Sequence, residues 1–219
     1  MGNKGIIHNR LIYADEFMLV ANKPPNIPVH QTKDPNRENF TDIIKAELKL
    51  SYIRTANRID LETSGLVVLG INPDFNKKLD SILESSEKKY LCIVHGITPE
   101  FFKIESFLKE EKEKMISVRS GGKKAITEFK RLGVSPSKTE SLIEATLITG
   151  RRHQIRIHLF EKGYPIMGEK VYTNYKKSIN SRCLLHSFSL EFINYKNEKV
   201  LAKAPIPDDF PNWIKIIPS

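Results

Sequence analysis

Three β-leaning segments, ISVRS, AITEFKRLG and SLIEATLIT, follow one another inside residues 97–150, with the GGKK and SPSK turns between them. Strands joined by turns that short pair with near neighbours, so this stretch reads as an antiparallel meander and commits the chain to a sheet. Further strands flank it. Leu11 to Tyr13 and Phe17 to Ala21 are apolar bursts on either side of the turn-like pair Asp15 and Glu16. GLVVLGI at 65–71 reads as a buried strand, and KKYLCIVHG at 88–96 as another, closed by Gly96. CLLHSFSLEFI at 183–193 and KVLAKA at 199–204 supply the last two.

Helices take other windows. KPPNIPVHQTKDPNREN excludes a continuous helix through Pro24, Pro25, Pro28 and Pro35. From about Thr41 to Leu48, Ile43, Ile44 and Leu48 fall on one helical side. Asn72 with Pro73 makes an N-cap and first-turn pair for a helix through about Leu83. Residues 151–162 carry two signals: Ile155, Ile157 and Leu159 alternate as in a strand, yet Gly163 ends the segment like a capped helix. We read a helix. With 219 residues, 40% hydrophobic and 28% charged, the expectation is one α+β domain over 1–219, a mixed and largely antiparallel sheet with flanking helices.

Lys and Arg number 35 against 26 Asp and Glu, a formal charge of +9 that favours a polyanionic partner. Cys92 and Cys183 are too few and too far apart for a disulfide framework and read as reduced, buried thiols. No apolar run has the length of a signal peptide or a membrane span, and Ile6 breaks the myristoylation pattern, so the chain is expected in the cytoplasm.

Two stretches carry chemistry. In NRIDLETSGLVVLG at 57–70, Asp60 sits beside arginine and ahead of a Thr-Ser-Gly turn and an apolar strand. A loop at a strand edge is where catalytic groups are often held, but taken alone the segment favours an Asp that only hydrogen-bonds turn amides. In ITGRRHQIRIHL at 148–159, Arg151, Arg152 and Arg156 alternate with apolar residues that anchor part of the segment in the core. Between 151 and 182, eight Lys or Arg stand against Glu161 and Glu169. His153 and His158 are spaced i, i+5, on different sides of a helix, so no metal site is expected. Tyr90 in KKYLCIVHG fits core packing, and it also fits a ring stacking on a base.

These segments resemble the RluA family of pseudouridine synthases. KPPNIPVH resembles its KPxGxxVH segment, RIDLETSGLVVLG its HRLDxxTSG signature, and KKYLCIVHG its K-x-Y-x-A-x-V-x-G strand. TGRRHQIRIHL and GYPIMGEKVY resemble its GRxHQIRxHL segment and the GxPxxGDxxY that follows, and LLHSFSLEF with KAPIPDDF its final strands. The match runs from about Leu11 to Phe210, with Asn57 standing where the family usually has His and Asn26 where it often has Gly.

The resemblance implies the pseudouridine synthase fold, in a short form without the small N-terminal RNA-binding domain of many relatives. It implies isomerisation of uridine to pseudouridine in a ribosomal or transfer RNA stem-loop by a protein expected to be a monomer. No group is added or lost, so no cofactor is implied. By motif, Asp60 is the catalytic carboxylate, Arg156 the arginine that pairs with it, and Tyr90 the ring that stacks on uracil and serves proton transfer at C5. Arg58 matches the arginine that enters the RNA stack, while Thr63, Ser64, Gly65, Arg151, Arg152, His153, Gln154 and Lys170 are the expected substrate-binding residues. Lys103, Lys109, Lys112, Lys114, Arg119, Lys123 and Lys124 extend the RNA-facing surface or simply decorate an exposed hairpin. The alternatives are an inactive RNA-binding protein or RNA chaperone that kept the fold, and a glycoside hydrolase. The latter needs two placed carboxylates, and Glu62 is the only acidic neighbour of Asp60 in the motif.

Overall fold

Asp15 sets the first turn. Its carboxylate accepts the backbone N–H groups of Phe17 and Met18, each at 2.8 Å, reversing the chain between β1 (Leu11–Ala14) and β2 (Met18–Lys23). In this computed structural model residues 10–112, 114–175 and 182–216 are described, and they form two compact units, 10–87 with 187–205 and 88–186 with 206–216. Lys176 and Lys177 of the basic run, and Ile6 of the myristoylation pattern, lie outside the described residues.

In the first unit β1 pairs antiparallel with β2, and β2 with β4 (Ser64–Gly70), from Met18 opposite Gly70 to Lys23 opposite Gly65. The two-residue β3 (Arg54–Thr55) also pairs with β4. Every residue of β4 is buried, as a strand written GLVVLG must be when both its faces are covered. α1 (Phe40–Glu47) starts where the Asn39 side chain accepts the Asp42 N–H at 3.0 Å, and it buries Phe40 and Ile44. Asn72 caps a 3₁₀ turn over Pro73–Phe75 that runs into α2 (Asn76–Ser85). Leu79, Ile82 and Leu83 of α2 pack against Met18, Val20, Leu66, Val68, Leu190 and Phe192. Each such burial contributes about 1.5–3 kcal/mol.

Strand β5 (Glu87–His95) leads into the second unit, which holds β6 (Phe101–Glu111), β7 (Lys114–Val118), β8 (Lys123–Val134) and β9 (Glu140–Leu147). The pairing is antiparallel throughout, in the order β5-β9-β8-β6-β7. This corrects the simple meander expected from the sequence: β8 and β9 pair as neighbours, but β7 pairs with β6, which lies between β7 and β8. α3 (Gln154–Glu161) lies against this sheet: its Ile157 packs with Leu108, Met115, Ala125 and Tyr172. Its His158 ring sits between the Ser106 and Thr127 hydroxyls, 2.9 Å from each. The β6–β7 hairpin is tied to the turn before α3 by the Arg152–Glu110 ion pair and to α3 itself by Ser117 Oγ donating to Glu161 at 2.6 Å.

The last strands are β10 (Leu185–Ile193) and β11 (Lys199–Lys203), paired antiparallel from Ser189 opposite Lys203 to Ile193 opposite Lys199. Among the described residues, no helix is long and apolar enough to cross a membrane.

Candidate active site

In the first unit the chain leaves the β4 ladder at residue 57. The Ala56 N–H still donates to the Val68 carbonyl at 2.9 Å, and the Asn57 side-chain oxygen then accepts the Val68 N–H at 2.7 Å. Asn57 thus supplies with its side chain a bond that a backbone carbonyl makes in a regular ladder. Asp60 opens a turn closed by the Thr63 N–H on the Asp60 carbonyl at 3.1 Å, and its side chain is half-buried. The carbonyl of Leu61 anchors the other side of that turn. It accepts the Asn26 N–H at 2.9 Å and the Lys23 ammonium at 3.2 Å.

Lys23 is 0% exposed, and its Nζ also donates to the carbonyls of Pro24 at 2.8 Å and Ile27 at 2.9 Å. This caged cation joins the proline-rich loop to the Asp60 turn, with Asn26 at φ +64° where the family often has Gly. The loop re-enters the sheet through the buried Thr63 and Ser64, while Arg58 is exposed.

In the second unit Tyr90 lies on β5 opposite Ala145, and it is buried. Arg151 to Gln154 lead into α3 through His153, which adopts left-handed φ +53°. Gln154 spends its amide inside the unit. Its oxygen accepts the Thr149 hydroxyl and the Arg151 N–H, and its nitrogen donates to the Ile126 carbonyl and Thr127 hydroxyl, all within 2.9–3.0 Å. Arg151, exposed, donates through Nε to the Lys124 carbonyl at 3.0 Å. Lys170 is exposed.

Arg156 meets a carboxylate that the sequence reading did not single out. Its Nε and Nη2 donate to Glu169 Oε2 and Oε1, each at 2.7 Å, a bidentate pair with Glu169 only 1% exposed. Glu169 Oε1 also accepts the N–H groups of Lys170, Val171 and Tyr172 at 2.9, 2.8 and 3.3 Å. Burial alone would raise the Glu169 carboxyl, but the Arg156 bonds and charge with those N–H groups hold it below its ordinary value. The Arg156 guanidinium also lies over the Tyr172 ring, 5.5 Å from its centre. The Tyr172 hydroxyl accepts the Met115 N–H at 2.8 Å and sits 2.9 Å from His153 Nδ1. His153 and His158 therefore answer to different partners.

The model of the RNA pseudouridylate synthase family matches residues 17–161, well over half of the chain. The chain belongs to the RluA family of RNA pseudouridine synthases. As a member of that family it is an RNA-modifying isomerase. It is 34% identical to the ribosomal large subunit pseudouridine synthase C of Buchnera aphidicola, covering 95% of this chain and 71% of the relative. It is also 34% identical to the ribosomal large subunit pseudouridine synthase D of Neisseria meningitidis, covering 94% of this chain and 60% of the relative. An uncharacterized RNA pseudouridine synthase of Zymomonas mobilis is 30% identical over 94% of this chain and 97% of its own. A solved structure of human RNA pseudouridylate synthase domain containing 4 shares the fold, with a TM-score of 0.78 and 22% identity over 94% of this chain and 92% of that one.

Proposed function

We propose that this synthase converts specific uridines of large-subunit ribosomal RNA to pseudouridine, with Asp60 as the catalytic carboxylate. On this reading the whole chain serves one catalytic domain, acting as a monomer in the cytoplasm. In the reaction the N1–C1′ bond breaks, C5 bonds to C1′, C5 loses its proton and N1 gains one. The uridine is first swung out of its stack, at a cost of a few kcal/mol that protein contacts offset. Asp60 then acts on C1′, on C6 or on the C2′ proton, with Arg156 taken by motif as its partner. Tyr90 packs on the uracil and serves the proton transfer at C5.

What supports Asp60 in this role is the mounting of its turn. The Leu61 carbonyl next to it is held by Lys23 and Asn26, and Asn57 ties the loop's other end to Val68. A carboxylate that must meet a moving base gains from a fixed support. Arg58 enters the RNA stack. Arg151, Arg152 and Lys170 contact phosphates, with Thr63, Ser64, Gly65, His153 and Gln154 shaping the substrate site. The names of the Buchnera and Neisseria relatives support ribosomal over transfer RNA as the substrate.

The test uses large-subunit and transfer RNA transcripts carrying tritium at C5 of uridine. Wild type is expected to release tritium to water from the ribosomal transcript, and Asp60→Asn to release none. Release by Asp60→Asn at the wild-type rate removes Asp60 from the chemistry. Release from transfer RNA alone moves the substrate, and release from neither favours an RNA-binding protein without catalysis.

A further inference from the structure

We infer that Glu169 is a positioning residue for the isomerisation, fixing Arg156 so that the arginine can serve the catalytic carboxylate; this rests on the reading that Asp60 and Arg156 act together. The side chain of Arg156 is 10% exposed, and a guanidinium that far from water needs a permanent anion. A carboxylate that reacts is a poor choice for that anion, because its bonding has to change during turnover. Glu169 suits that role better: its carboxylate is fixed by the backbone N–H groups of Lys170, Val171 and Tyr172.

The geometry adds direction to charge. Arginine presents its N–H groups as a rigid planar fork, so two bonds fix both its position and its plane. Glu169 takes the Nε–Nη2 edge, which fixes the plane of the fork. The Tyr172 ring beneath the guanidinium limits tilting. Tyr172 is itself held by Met115 and His153, so the support reaches back to the β6–β7 hairpin.

Glu169→Gln separates this role from a merely structural one. The carbonyl oxygen of glutamine can take the place of Oε1, which receives the three backbone N–H groups, and so keep the turn at 169–172. Its NH₂ then falls at the Oε2 position, against Arg156 Nε–H and 3.7 Å from where Cys183 Sγ sits. Donor meets donor at Nε, so Arg156 loses one of its two bonds and the full charge of its partner, keeps only the Nη2 bond, and is no longer fixed in plane while the turn survives. Glu169→Asp keeps both acceptor oxygens on a shorter stem.

The experiment measures single-turnover tritium release from the C5-tritiated large-subunit transcript by the full chain, with Kd for the same RNA by filter binding and Tm by thermal unfolding. Glu169→Gln is expected to slow release roughly 30-fold, an amount equivalent to about 2 kcal/mol, with Kd within about threefold of wild type. Glu169→Asp is expected to recover most of the rate. In an Arg156→Ala background, Glu169→Gln is expected to slow release by less than about twofold further, since the group it positions is gone. A wild-type rate in Glu169→Gln overturns the inference. So does a loss carried by Kd or Tm alone, an Asp variant as slow as Gln, or a full additional loss in the Arg156→Ala background. If wild type releases no tritium, or Asp60→Asn releases as much as wild type, the synthase reading beneath it fails instead.

Discussion

Gly65 approaches Ser187 so closely that a Cβ on Gly65 would sit 2.1 Å from the Ser187 carbonyl oxygen. Its φ of +106° adds a backbone conformation that side chains disfavour. The Thr-Ser-Gly of the signature is thus a demand of packing: the strand after Asp60 can enter the sheet only if this residue has no side chain.

Gly65→Ala is expected to destabilise by at least about 3 kcal/mol, since a backbone carbonyl cannot move aside as a side-chain tip can. Gly121→Ala is the control, having φ +73° but nothing within 4 Å of the added Cβ. It is expected to cost only the conformational strain, about 1–2 kcal/mol. Urea unfolding of both variants checks this, and equal losses would refute the close-approach argument.

Asn57→Ala leaves the Val68 N–H without its 2.7 Å acceptor, and a loss of about 1–3 kcal/mol is expected. Asn57→Asp keeps an acceptor oxygen and is expected to retain more stability than Ala. The paired urea midpoints decide it.

Burial pushes His158 down to about 4, so it stays neutral between Ser106 and Thr127 in the folded protein. In the unfolded chain it gains a proton near the ordinary value of 6.5. Its contribution is therefore complete above pH 6.5 and is lost progressively as pH falls toward about 4. His158→Gln is expected to flatten the fall in urea midpoint across that window. The lowered Glu169 carboxyl contributes above its unfolded value of 4.5, a contribution lost as pH falls further, so the two groups separate on the pH axis. An unchanged slope in His158→Gln would contradict the assignment.

Arg58→Ala is expected to slow turnover roughly tenfold more on a folded stem-loop than on an unpaired oligonucleotide of the same sequence, about 1.4 kcal/mol of the opening cost. Arg58 is exposed beside the Asp60 turn, as an intruding side chain has to be. Equal losses on both substrates would remove it from base extraction.

Some of this was legible in the chain and some was not. The caps and turns were, because Asn72 with Pro73 states its local chemistry in adjacent residues. The segment at 151–162 sent a double signal for a physical reason: Gln154 through Leu159 are all buried, the polar Gln154, Arg156 and His158 included, so apolar and polar residues alternate as in a strand instead of splitting into helical faces. β6 was not singled out because charged and aromatic residues share its exposed face, where Phe101 and Phe107 stand beside Lys103 and Glu105. Arg156 was named through resemblance, but its bidentate partner Glu169 lies 13 residues on, past a turn, where no periodicity links the two. Lys23 was legible only as the first letter of a matched motif, with no sign in the sequence that three carbonyls cage it. Gln154, expected at the substrate, has its amide committed to Thr149, Arg151, Ile126 and Thr127.

The central claim is that Asp60 makes pseudouridine in RNA, and carbodiimide mapping of total RNA tests it most directly. Cells lacking the gene are complemented with wild type or with Asp60→Asn. One or a few positions in large-subunit ribosomal RNA are expected to lose pseudouridine in the deletion and to regain it only with wild type. Restoration by Asp60→Asn, or no position that depends on the gene, would contradict the account.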